Sequence, residues 1–124
     1  MPTTTMSPSP VLDPAAIEGL RALSPDEPGF LRELIEIYLK DTPLRLAELE
    51  SALAKGDAAI VVRAAHTIKG SSGNFGASAL AKLAQEIESQ GKAGNLPAAA
   101  VALPAFKAEF ARVNTALTAI ASGT

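Results

Sequence analysis

Apolar residues recur along this chain in steps of three and four, and no useful stretch alternates with period two. The clearest run is Leu103, Phe106, Phe110, Val113, Leu117 and Ile120, a pattern that suits one seam of a helical bundle. Shorter runs with the same spacing are Ile17, Leu20, Leu23; Leu31, Leu34, Ile35, Tyr38; Leu46, Leu49, Leu53; and Leu80, Leu83, Ala84, Ile87. Strands are therefore not expected. The predicted fold is all-α: an antiparallel four-helix bundle, up-down-up-down, with a short extra N-terminal helix. Aromatic residues make up only 4% and Trp is absent, so Leu, Ile, Val and Ala must fill the core. Abundant alanine favours helices that pack closely.

Punctuation sets the boundaries. Residues 1–11, with Pro2, Pro8 and Pro10 among small polar side chains, read as a disordered tail, and residues 12–124 as the bundle domain. Asp13-Pro14 supplies an N-cap followed by proline at the first helical position, and Ser24-Pro25-Asp26 ends this short helix. A second helix is expected from near Pro28 to Gly56, kinked at Pro43 but not broken, because the periodicity resumes at once. Gly56 then ends it and Asp57 caps a third helix, predicted over Asp57–Phe75. A fourth spans about Ala77–Gln90, and Gly91, Gly94 and Asn95 read as the following turn. Pro104 is expected to bend or delay the start of the fifth.

Composition excludes several classes of function. At 124 residues the chain has enough length for one modest core. A net charge of -2 and the lack of any basic block argue against nucleic acid or an anionic membrane as partner. With no cysteine there are no disulfides and no thiolate metal sites. The N-terminal stretch lacks the basic start and apolar centre of a signal peptide, and no apolar run approaches the roughly 20 residues of a membrane span. The expected location is the cytoplasm.

One histidine is present, His66, inside the third predicted helix. At about 100° per residue, Val61, Ala64, Ile68, Ser72 and Phe75 cluster opposite it and form the core face. Val62, Lys69, Gly70 and Gly73 fall within about 60° of it. The imidazole is thus exposed at the centre of a small patch. Each interior glycine costs a helix about 1 kcal/mol relative to alanine. Two of them beside the histidine open a shallow floor on which a partner's surface can come close. Neutral imidazole is a nucleophile that needs no base, and Lys69, one turn on, can reach an anion placed upon it. Phosphoryl transfer depends mainly on positioning and charge, so so small a site suffices if a partner brings the rest. Arg63, about 60° from His66, reads equally as a contact for an acidic partner and as ordinary surface charge. Ser71 and Ser72 lie toward the core, and Phe75 and Phe106 read as core. Glu33, Glu36, Lys40 and Asp41 form a solvated face.

The segment Ala65-His66-Thr67-Ile68-Lys69-Gly70-Ser71-Ser72-Gly73-Asn74-Phe75-Gly76-Ala77 closely resembles the signature of histidine-containing phosphotransfer (HPt) domains of bacterial two-component phosphorelays. Phe30–Asp57 resembles the long helix before that motif and Leu80–Glu88 the helix after it, so the likeness covers roughly residues 12–121. The resemblance implies a phosphorelay intermediate. His66 would accept a phosphoryl group from a receiver-domain aspartate through the ring nitrogen remote from the backbone, and pass it to another receiver. Lys69 matches the lysine beside the phosphate and Gly70 the close-approach glycine. Glu88 matches the position of a polar residue near the histidine, although a carboxylate there would repel the phosphoryl group unless it faced elsewhere. The partner-binding surface would be Val62, Arg63, Lys69, Gly70 and Gly73. Partners would be receiver domains of response regulators, hybrid histidine kinases or both. The protein would need no cofactor of its own, Mg²⁺ being supplied by the receiver, and would act as a monomer. It would be a carrier, with no ATP-binding or kinase domain of its own.

Three other readings compete. In a dimerising histidine-kinase helix, an acidic residue normally follows the histidine, with a proline a few positions on. Here Thr67 follows, and the next proline is Pro97. A scaffold or decoy that binds receivers without phosphotransfer would have no use for both His66 and Lys69. Metal or haem binding lacks ligands, with one histidine, no cysteine and two methionines in the chain.

Overall fold

A computed structural model describes residues 11–123. Five helices follow one another: α1 (Pro14–Ala22), α2 (Phe30–Lys55), α3 (Ala58–Gly73), α4 (Ser78–Lys92) and α5 (Leu96–Ser122). No strand occurs among the described residues. Helices α2 to α5 close a ring in which each packs on the next and α5 returns to α2, while α1 lies against α2. Short turns make successive helices antiparallel. This is the up-down-up-down bundle that the periodicity predicts.

The local signals act as expected at most boundaries. The Asp13 carboxylate accepts a hydrogen bond from the Ala15 N–H at 2.9 Å, and Pro14 opens α1. Helix α2 starts at Phe30, two residues after Pro28, and runs unbroken through the exposed Pro43. Gly56 ends it in the left-handed conformation, φ 76°, and the Asp57 carboxylate caps α3 by accepting from the Ile60 N–H at 3.2 Å. Of the expected tail, residues 1–10 lie outside the described residues. Val11 packs partly against the core, and Leu12 is buried.

Two boundaries depart from expectation. Gly91 is not in a turn. It lies inside α4, buried, and the turn is left to Gly94 and Asn95. Helix α5 begins at Leu96 rather than near Pro104, because the Asn95 side chain accepts from the Ala98 N–H at 3.2 Å and Pro97 occupies the first turn. Pro104 then sits within the helix at an exposed position.

The core holds α3 in a fixed rotation. Val61, Ala64, Ile68, Ser72 and Phe75 are all buried, together with Ala65. Ser72 shares a 2.8 Å hydrogen bond with the Tyr38 hydroxyl, and Tyr38 meets Phe75 edge-on with ring centres 5.3 Å apart. Each buried hydroxyl thereby satisfies the other. Burial pushes the Tyr38 phenol up, against hydrogen bonds from Ser72 and Thr42 that favour its ionised form. The α3–α4 turn is tied to the start of α1, where the Asp13 N–H donates to the Gly76 carbonyl at 3.0 Å.

Candidate functional site

With its apolar face turned inward, α3 presents His66 to solvent, its side chain 65% exposed. The patch predicted around it forms in part. Gly70 and Gly73 are exposed on the same helix, and a Cβ at either would meet nothing within 4 Å. Neither glycine is needed for packing within the chain. Lys69 and Val62 are half-buried and Arg63 is exposed. Lys69 does not project freely: its ammonium donates to Gln85 Oε1 at 2.7 Å and lies 2.9 Å from Glu88 Oε1.

Helix α4 supplies the rest. Glu88 is nearly fully buried, and its Oε2 lies 3.1 Å from His66 Nδ1 and 3.3 Å from the Lys92 ammonium. The Glu88 Oε1 contact with Lys69 is an ion pair without hydrogen-bond alignment, so that oxygen keeps no hydrogen bond of its own. Burial by itself pushes the Glu88 carboxyl up. Lys69, Lys92 and His66 together outweigh it and hold the group below its ordinary 4.5. A carboxylate held ionised can only accept hydrogen bonds. His66 Nδ1 therefore donates in this contact, and in the neutral form of the ring that tautomer leaves Nε2, the nitrogen remote from the backbone, without a proton.

The Glu88 carboxylate contacts Nδ1 rather than Nε2, and the Lys69 and Lys92 ammonium groups lie beside its two oxygens. Gln85 and Lys92 escaped the sequence reading. They share one polar stripe of α4 with Glu88 and Ser89, and Gln85 Nε2 donates to Ser89 Oγ at 3.0 Å. That stripe is visible as three- and four-residue spacing, but only the pairing of α4 with α3 gives it a target.

A profile of the Hpt domain family matches residues 33–121. The chain belongs to that family. The crystal structure of histidine-containing phosphotransfer protein B (HptB) from Pseudomonas aeruginosa PAO1 is similar to this Hpt chain over 94% of its length and 99% of HptB, with TM-score 0.86 and 30% sequence identity. No curated protein matches the sequence. Family membership and the structural neighbour support a histidine-phosphotransfer role in phosphorelays, the role of a carrier rather than a kinase. Among the described residues, no helix of the Hpt bundle is long and apolar enough to cross a membrane.

An apolar groove of about 410 Å³ lies between α1 and α2, lined by Leu20, Leu23, Phe30, Leu34, Ile37 and Tyr38. Ser71 of α3, Asn74 and Phe75 just beyond its end, and the polar Asp41 and Thr42 of α2 complete the lining. Leu23 and Ile37 stay 69% and 64% exposed, although Leu23 belongs to the apolar run of α1. The sequence reading did not include this groove in the site, because it exists only once α1 is laid on α2.

Proposed function

We propose that His66 is the phosphoacceptor of a phosphorelay intermediate, taking a phosphoryl group from a receiver-domain aspartate and returning it to the aspartate of another receiver. The observation that carries this reading is the Glu88 contact with Nδ1 of a His66 side chain 65% exposed, which favours the tautomer whose Nε2 lacks a proton. The Nε2 lone pair forms the N–P bond as the bond from phosphorus to the aspartyl oxygen breaks, and the aspartate leaves as carboxylate. The ring keeps its Nδ1 proton and becomes cationic, facing the Glu88 carboxylate. In the second transfer, carboxylate attack on phosphorus returns the ring to its neutral form. No proton has to be moved in either direction. Lys69, which shares the Glu88 carboxylate with the ring, answers the charge of the phosphoryl oxygens.

The receiver domain of a response regulator or hybrid kinase is the partner in this reading. A partner of standard size covers about 800 Å², a disc of about 16 Å radius. His66 to Asn74 is about 12 Å along the helix axis, so a footprint centred on His66 takes in Val62, Arg63, Gly70 and Gly73 and reaches the apolar groove. Mg²⁺ comes with the receiver. The one carboxylate at this site is flanked by two ammonium groups, which does not suit a hard cation that seeks several oxygen ligands.

The test is transfer from a receiver charged with radiolabelled acetyl phosphate. Wild-type protein is expected to acquire acid-labile label and His66→Gln none. Label on His66→Gln at the wild-type rate would remove His66 from the mechanism. Receiver binding by the wild-type protein with no label at all would instead indicate a scaffold.

A further inference from the structure

We propose that Gly91 is a positioning residue for transfer, its missing side chain setting how closely α4 approaches α3 and so where Glu88 meets His66. The inference rests on the reading of His66 as phosphoacceptor. The antiparallel pair α3 and α4 meets at three successive levels: Val62 against Gly91, His66 against Glu88, and Lys69 against Gln85 and Glu88. A Cβ at Gly91 would fall 2.9 Å from Val62 Cγ2, 3.2 Å from Val61 Cγ1 and 3.6 Å from the Val62 nitrogen. Both valines are β-branched, with one strongly preferred rotamer in a helix, and Val61 is fully buried. Neither can turn away cheaply. An added methyl must push α4 from α3 one turn below the Glu88 contact. Gly91 also has no positive φ to justify it, unlike Gly56, Gly76 and Gly94. Close approach is the reason left for a glycine inside this helix.

The Nδ1–Oε2 distance of 3.1 Å is near the long end of good hydrogen bonds, so little retreat of α4 breaks it. A histidine released from such a partner places its proton mainly on Nε2, the nitrogen that must attack. Gly91→Ala therefore raises the fraction of His66 in the unproductive tautomer.

His66 is the only histidine, so ¹⁵N NMR of the imidazole reads this tautomer without overlap. Above the titration of the ring, wild-type protein is expected to show a protonated Nδ1. Gly91→Ala is expected to shift population to Nε2–H and to slow phosphoryl transfer about tenfold or more. Gly91→Ala with Val62→Ala, which removes the nearest obstruction, restores the Nδ1–H form. Leu117→Ala, a core truncation in α5, lowers the melting temperature without moving the tautomer. An unchanged tautomer in Gly91→Ala overturns the proposal, as does failure of the folded double variant to recover Nδ1–H. Should Gly91→Ala not fold, the double variant alone decides. Nε2–H in the wild-type protein would overturn the proposal at the Glu88–Nδ1 pairing, whereas His66 as phosphoacceptor is decided separately by the His66→Gln label.

Discussion

Two sets of glycines on neighbouring helices are identical in chemistry and opposite in use. Around Gly70 and Gly73 of α3 the space that a side chain would fill is empty, whereas at Gly91 of α4 it is taken by Val61 and Val62. The first set leaves room on the outside of the molecule, the second lets two helices touch. Both lie close to His66, and both sacrifice helix propensity. The difference teaches that a glycine in a helix has to be read from what surrounds it: open space implies an absent partner, contact implies a present neighbour.

Substitutions should separate the two kinds. The largest effect on binding is expected from Gly70→Leu, which puts a bulky side chain on the open floor. Receiver binding, followed by titration calorimetry, should weaken by about tenfold or more, equivalent to about 1.4 kcal/mol, while helicity stays unchanged. Undiminished binding would end the close-approach explanation. Stability should then move in opposite directions at the two sites. Gly91→Ala is expected to lose about 1–3 kcal/mol to overpacking, less what alanine returns in propensity. Gly70→Ala should gain up to about 1 kcal/mol, since Gly70 lies inside α3 and its methyl meets nothing, while Gly73 is the last residue of the helix. Urea denaturation of both variants checks the signs, and like signs would erase the comparison.

A smaller effect concerns charge at the closed seam. The Glu88 carboxyl is held below its ordinary 4.5 in the folded protein, so it binds protons more readily when unfolded. Its stabilising contribution is fully present above that ordinary value and is lost as pH falls through the lower folded one. The stability difference between wild type and Glu88→Gln should accordingly be flat toward neutral pH and shrink in acid, by denaturation at a series of pH values. A difference independent of pH would mean that Glu88 acts there by shape alone.

Much of this was legible in the chain. Helical period together with Pro28 and Gly56 placed α2, and the Gly56-Asp57 boundary placed the start of α3. Rotation at about 100° per residue put His66 outside and Val61, Ala64, Ile68, Ser72 and Phe75 inside. Signals confined to a few residues, such as Gly56-Asp57, worked because capping is a local interaction. Gly91 was misread for the complementary reason. Three residues before Gly94 it looks like part of a turn, and only the valines of another helix explain why it is helical. The start of α5 was legible in principle, since Asn95 and Pro97 are a cap and a first-turn proline, but Pro104 is the more conspicuous breaker. Glu88 was marked by resemblance, whereas its hydrogen bond to Nδ1, and the roles of Gln85 and Lys92, depend on the register of α4 against α3. The groove formed by α1 and α2 depends likewise on tertiary placement.

Tyr38 has a practical consequence beyond its hydrogen bond to Ser72. It is the only tyrosine in a chain without tryptophan, so near-ultraviolet emission excited above the phenylalanine band comes from this one ring. That ring lines the groove and packs under the helix that carries His66. The protein therefore contains its own optical probe at the junction between the phosphoacceptor helix and the docking surface proposed here. Binding of a receiver free of tryptophan and tyrosine over that surface can be followed in real time without a label.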